Sequence, residues 1–235
     1  SGNIDDVVEE IMDYQIDGLV FASVALSSTI VGRCQAAGVP VVLFNRRQDM
    51  EGVSSITSDN FAGGRKVADF LLEQGYSRIG YIAGWEGAST QRDREAGFLD
   101  GLATAQSTLF AREVGNFRKE ETLAAARAMF DKPADQRPDA VFVANDHMAL
   151  FVLDVLRAEL GLRVPEDVAV VGYDDVPPAG WPAYDLTTVR QRSNLMVDHT
   201  VSTLIQQIER PDSFIPREVA IDGPLIIRST TRQGR

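Results

Sequence analysis

Five short apolar runs constrain this chain more than anything else in it. They are DGLVFAS (17–23), VPVVLFN (39–45), RIGYIAG (78–84), DAVFVAND (139–146) and EDVAVVGYDD (166–175). Each is rich in Val and Ile, apolar at consecutive positions, and closes on small or polar residues. A strand solvated on one face alternates, whereas one apolar at every position is buried on both faces, as in a parallel sheet covered by helices. The segments between the runs carry a helical period. Ile4, Val7, Val8 and Ile11 share one face of an opening helix. Residues 60–74 follow a capping candidate at Ser58 or Asp59 and stop at Gly75. Ala149, Leu153, Leu156 and Leu160 form an amphipathic stripe ahead of Gly161, and Val197, Val201, Leu204, Ile205 and Ile208 form another in a late helix. EVGNF (113–117) and REVAI (217–221) are shorter strand candidates. Strands alternating with helices predict an α/β fold with parallel sheets.

The composition narrows what such a fold can bind. A net charge of -11 argues against direct contact with nucleic acid, which needs clustered Lys and Arg. One cysteine, Cys34, rules out an internal disulfide and suits a reducing cytoplasm. Two separated histidines, His147 and His199, without cysteine partners, make no zinc motif. No apolar run reaches the roughly 18 residues that span a bilayer, and SGNIDDVVEE lacks the basic and apolar regions of an export signal. The expected direct partner is a small molecule or another protein. No cofactor is expected.

In open α/β sheets, ligands sit beyond the carboxyl ends of the strands. The residues just past each run are therefore the candidate site: Ser23, Asn45, the loop WEGASTQRDR (85–94), Phe117, Asn145 with Asp146, and Asp174 with Asp175. Amides and carboxylates that accept from O–H groups, an arginine that donates, and an aromatic face suit a neutral ligand rich in hydroxyls. AGWEGAS has two glycines but no Lys-Ser/Thr pair at phosphate-loop spacing. Plainer roles compete at each position. Asp146 and Asp174 could cap the helices that follow, Arg92 and Arg94 could line a solvated helix face, Phe117 could be core, and Trp181 could only pin a loop. Adjacent strand residues point to opposite faces, so Asp174 and Asp175 are not expected to share one site. No nucleophile–base set is suggested.

The string from Asp139 to Gln191, with ANDHMAL, VPEDVAVVGYDD and LTTVRQ in order, resembles the lactose/galactose repressor (LacI/GalR) family. VADFLLEQGYSRIGYIAG (67–84), RDREAGFLDGL (92–102) and PLIIRSTTR (224–232) agree with it. The resemblance implies a periplasmic-binding-protein-like core of two Rossmann-like lobes around a cleft. The N-terminal lobe would be 1–57 and 193–221, and the C-terminal lobe 58–192 and 222–235. It also implies a ligand site at Arg94, Asp174, Asn145, Phe117, Thr90, Asn45 and Gln191, with Asp59 a weaker candidate and Asp175 supporting the turn. A homodimer in the cytoplasm would meet operator DNA only through a separate head domain, which this sequence does not contain. The chain opens on a helix where the family's N-terminal lobe opens on a strand, so a first βαβ portion of at least about 30 residues is expected to be missing.

The resulting expectation is a bacterial regulator's effector-binding core, taking a sugar or sugar derivative and catalysing nothing. The alternatives are a periplasmic sugar-binding protein of a transporter, which shares the architecture, and a sugar-acting enzyme, for which no catalytic group is assembled.

Overall fold

A computed structural model of the chain describes residues 4–12, 14, 16–23, 27–48 and 50–232. From the amino end come α1 (Ile4–Met12), β1 (Leu19–Ala22), α2 (Ser28–Ala36), β2 (Val41–Phe44) and β3 (Ser54–Ser58). Then follow α3 (Asn60–Glu73), β4 (Ile79–Ala83), α4 (Ser89–Thr104), β5 (Ala111–Val114), α5 (Lys119–Phe130), β6 (Ala140–Val143) and α6 (Asp146–Asp154). The chain finishes with β7 (Ala169–Asp174), β8 (Thr187–Arg190), α7 (Ser193–Glu209), β9 (Glu218–Ile221) and β10 (Leu225–Ile226). It divides into a small unit, Ser1–Ser58 with Arg192–Ile221, and a large unit, Asp59–Gln191 with Asp222–Arg235.

The small unit holds a four-stranded sheet in the order β1-β2-β3-β9, all pairs parallel. One apolar cluster joins Val8 and Phe21 to Ile30, Val31, Cys34, Val41, Leu43 and Val53, so α1 and α2 share it. A second joins Val42 and Ile56 to Met196 of α7. Of the apolar stripe expected to bury α7, only Leu204 packs against the core. Val197, Val201, Ile205 and Ile208 are 40–50% exposed, while Met196, Thr200, Thr203 and Gln207 are buried. The sheet face below explains this, because β3 reads SSITS and is buried along its whole length. Gln207 Nε2 donates to Ser54 Oγ at 3.2 Å, so a helix face of short and polar side chains matches the serines better than an aliphatic one. In α1, Val8 is buried while Val7 is exposed; the side chain of Ile4 lies outside the described residues.

The large unit holds six strands in the order β10-β8-β7-β6-β4-β5, parallel except for β10 against β8. Its core is one cluster from Val67 to Val189, in which Tyr81, Phe98 and Phe142 pack with ring centroids 5.1–5.7 Å apart. Asp59 caps α3 by accepting from Ala62 N at 2.9 Å, and Gly75 closes it at φ +81°. The expected strand EVGNF lies two residues earlier, at Ala111–Val114. Gly115, Asn116 and Phe117 form the turn after it, and positive φ at Asn116 and Phe117 ends the pairing. The aliphatic stripe of α6 runs on through a π-helical turn, Val155–Glu159, before Gly161 reverses the chain at φ +63°.

A candidate small-ligand site at the carboxyl edge

From β4 the chain runs outward to β5, then returns to place β6 on the other side of β4. Between β4 and β6 the connections diverge, and a crevice at the carboxyl ends of these two strands follows from that topology. Gln91 fixes the tip of β4, its Oε1 accepting from Gly84 N at 2.7 Å and from Tyr81 Oη at 3.0 Å. At the tip of β6, Asn145 caps α6 by accepting from Met148 N at 3.0 Å. The capping role weighed for Asp146 therefore falls to its neighbour.

Arg94 is brought to this crevice by glycines. A Cβ on Gly64 would run into the Arg94 carbonyl, one on Gly97 into the Phe61 carbonyl, and one on Gly101 into the Ala68 side chain. Helices α3 and α4 thus meet backbone to backbone, which only glycine permits. The buried Asn60, first residue of α3, then lies beside Arg94, which is itself 3% exposed. Arg94 donates from Nε to Asn60 Oδ1 at 2.9 Å, from Nη1 to the Ala144 carbonyl at 2.6 Å, and from Nη2 to Asp174 Oδ1 at 3.1 Å. Its guanidinium lies 3.7 Å over the centroid of Tyr173. The solvated-helix reading holds only for Arg92, whose Nη1 reaches the Glu86 and Gly87 carbonyls at the surface. Arg94 has five N–H donors, and three are engaged, leaving one on Nη1 and one on Nη2.

Asp174 divides its two oxygens. Oδ1 accepts from both Arg94 and Gln191 Nε2, while Oδ2 accepts no hydrogen bond from the described residues. Asp175 faces elsewhere, accepting from Arg190 at 2.5 Å and Arg228 at 2.7 Å. It thereby ties the turn to β8 and to the final segment. Asp146 is fully buried, with Oδ1 accepting from Thr188 Oγ1 at 2.7 Å and Oδ2 from Val176 N at 2.9 Å. Burial pushes its carboxyl up to about 6, and the nearby Asp174 and Asp175 add to that shift.

The remaining residues read from the sequence fall around this pair. Thr90 is buried one turn before Arg94 on α4. Asn145 follows the carbonyl that Arg94 grips, and its Oδ1 is spent on the cap, so its amide NH2 is what it can offer. The ring of Phe117 lies against Gly84, where any Cβ would strike it. Gln191 is bonded to Asp174 through its side chain and also through its backbone N–H at 3.2 Å. Six residues, Thr90, Arg94, Phe117, Asn145, Asp174 and Gln191, thus lie at one edge of the large unit.

In the small unit, Asn45 stands at the tip of β2 and donates from Nδ2 to Ser23 Oγ at 2.9 Å. Its Oδ1 is buried with no hydrogen-bond partner among the described residues. Asn60 and Tyr173 were not legible as site residues, one looking like part of a helix start and the other like strand core. Among the described residues, no three His, Cys, Asp or Glu side chains are placed to hold a metal ion.

Strain marks the same places. Eight non-glycine residues have positive φ among those described, and six of them stand at strand tips: Ser23, Asn45, Asn116, Phe117, Asp174 and Asp175. Such conformations are uncommon and costly, and they gather where a binding site over-determines the backbone.

Comparison with known proteins decides the family. The model of the periplasmic binding protein-like domain matches residues 68–231. The chain belongs to that family. A regulator of the family, CelR of Thermobifida fusca, described as an HTH-type transcriptional regulator, is 34% identical over 221 residues, covering 92% of this chain and 63% of its own length. The chain thus spans less than two thirds of that relative. A solved structure of a CelR–cellobiose complex superposes with a TM-score of 0.87 at 32% identity, covering 98% of this chain and 71% of that one. A LacI transcriptional regulator from a Rhodococcus species gives 0.85 at 28% identity, over 95% of this chain and 81% of its own. These likenesses bear out the LacI/GalR resemblance carried by ANDHMAL, VPEDVAVVGYDD and LTTVRQ, and they are to regulators rather than to transport proteins or enzymes. Among the described residues, no helix is long and apolar enough to cross a membrane.

Proposed function

We propose that this chain is the effector-binding core of a LacI-type transcriptional regulator and that its effector is a neutral, polyhydroxylated molecule, a sugar or sugar derivative. The Arg94–Asp174 pair carries this reading. A buried cation is matched by one carboxylate, so the pair adds no net charge. It keeps two N–H donors on one partner and a free acceptor oxygen on the other. That combination answers a hydroxyl, which both donates and accepts, better than it answers a phosphate, which wants only donors. Phe117 supplies an apolar face, Asn145 a donor, Thr90 a hydroxyl and Gln191 a carbonyl, and Asn45 belongs to the same reading from the small unit. A LacI relative solved with cellobiose supports the ligand class.

In this reading the regulator works in the cytoplasm as a homodimer and meets its operator through a head domain outside this chain. Calorimetric titration with cellobiose, other neutral sugars and sugar phosphates tests the ligand class. Binding of a neutral sugar that falls about 10- to 150-fold in Asp174→Ala is expected, from the roughly 1.5–3 kcal/mol of a charge-assisted bond. Binding of sugar phosphates alone, or a neutral sugar held equally by Asp174→Ala, overturns it.

A further inference from the structure

Arg94 is fixed at more points than an ion pair requires. Its Nη1 and Nη2 bonds, to the Ala144 carbonyl and to Asp174, both lie at the outer end of the guanidinium. Tyr173 supports the plane from below. At the inner end, where Cδ joins the plane to the chain, the Nε–H bond to Asn60 Oδ1 is the hydrogen bond that fixes rotation about the Cδ–Nε bond. Asn60 is 4% exposed, and it is not needed to cap α3, because the neighbouring Asp59 already accepts from Ala62 N.

We infer that Asn60 is a positioning residue for the ligand site: by accepting the Nε–H of Arg94 it sets the angle at which the two unspent N–H groups meet a ligand, without touching the ligand itself. This rests on the reading of Arg94 as a ligand contact. It goes beyond that reading in assigning affinity to a residue on a different helix.

Two measurements test it. In the ligand-free protein, nitrogen–proton NMR is expected to show a slowly exchanging Nε–H for Arg94 that is lost in Asn60→Ala and kept in Asn60→Asp, which retains an acceptor oxygen. In titrations with cellobiose, Asn60→Ala is expected to weaken binding about 10-fold, roughly one hydrogen bond to a charged group. Asn60→Asp should stay within a few-fold of the parent. In an Arg94→Ala background, Asn60→Ala should change affinity less than about 2-fold, since the positioned group is gone. The inference is overturned if the Arg94 Nε–H exchanges as fast in the parent as in Asn60→Ala, or if Asn60→Ala costs the same in both backgrounds. If cellobiose does not bind the parent, another neutral sugar that does bind takes its place in the titrations; if none binds, the sugar reading fails, and an Arg94 Nε–H exchanging as fast in the parent as in Asn60→Ala still overturns the inference by itself. Should Asn60→Ala fail to fold, Asn60→Ser, which shortens the side chain and withdraws the acceptor, takes its place.

Discussion

The tips of the two sheets are built from the same kind of residue and finished differently. In the small unit, Ser23 and Asn45 take positive φ, and Asn45 holds a buried carbonyl oxygen that no described residue pairs. In the large unit, Asp174 takes positive φ as well, but its Oδ1 accepts two bonds and its partner Arg94 makes three. One tip is set in place before any ligand arrives; the other carries an unmet hydrogen-bonding demand. The contrast teaches that pre-organisation here comes from side chains bonding each other and not from backbone strain alone, which both tips share.

The largest effect should come from breaking the finished tip. Arg94→Ala strands the Asn60 oxygen and the Ala144 carbonyl and leaves Asp174 without its cation, so a loss of roughly 3–5 kcal/mol is expected in denaturant melts. A loss below about 1 kcal/mol would mean that the tip is not pre-organised by this residue. The next effect tests the glycine seam behind it. Gly97→Ala forces the Phe61 carbonyl away and should cost roughly 1–3 kcal/mol. Gly32→Ala in α2 of the small unit, where a Cβ meets nothing within 4 Å, should stabilise by roughly 0.5–1 kcal/mol. Opposite signs in parallel thermal melts are the expected result.

The large unit's tip also carries an acid whose proton is held by the fold. Because the Asp146 carboxyl is raised to about 6 in the folded chain, the folded state holds that proton more tightly than the unfolded one. The stability this confers is fully present below the ordinary carboxylate range and is lost as pH rises through about 6. Asp146→Asn should therefore flatten the pH dependence of the large unit's melt by on the order of 2 kcal/mol between pH 4 and pH 7. A profile as steep as the parent's would contradict it. The smallest effect belongs to the unfinished tip. Asn45→Gly removes a buried oxygen that no described residue pairs and relieves φ +68°, so it should raise stability by about 0.5–1 kcal/mol. Loss of stability in that variant would show that Asn45 is already satisfied.

Much of this was legible in the sequence because parallel strands write themselves as continuous apolar runs. All five runs became strands, and the tips they named hold the Arg94–Asp174 pair. What was not legible was polar yet buried. Strand β3, SSITS, and strand β8, TTVR, bury hydroxyls that pair inside the fold, as when Thr187 meets Thr230 and Thr231. No apolar pattern announces such strands. The aliphatic stripe of α7 misled for the converse reason, since a hydrophobic face is buried only if the surface beneath it suits it. Asn60 was hidden because its meaning lies 34 residues away along the chain, in a bond to Arg94 made possible by glycines on both helices.

The ring of Phe117 resting on Gly84 has a consequence for how such a site can be remodelled. Position 84 is closed to every side chain while the phenyl group is in place, and trimming the ring to a small residue removes the three atoms that stand nearest. The two positions are therefore a lock with a single key. Altered singly, one clashes and the other leaves a hollow; exchanged together, they would recontour the wall beside β4 while the Arg94–Asp174 pair stays in place. A library that varies 84 and 117 as a pair is thus a short route from this core to a biosensor with a new specificity.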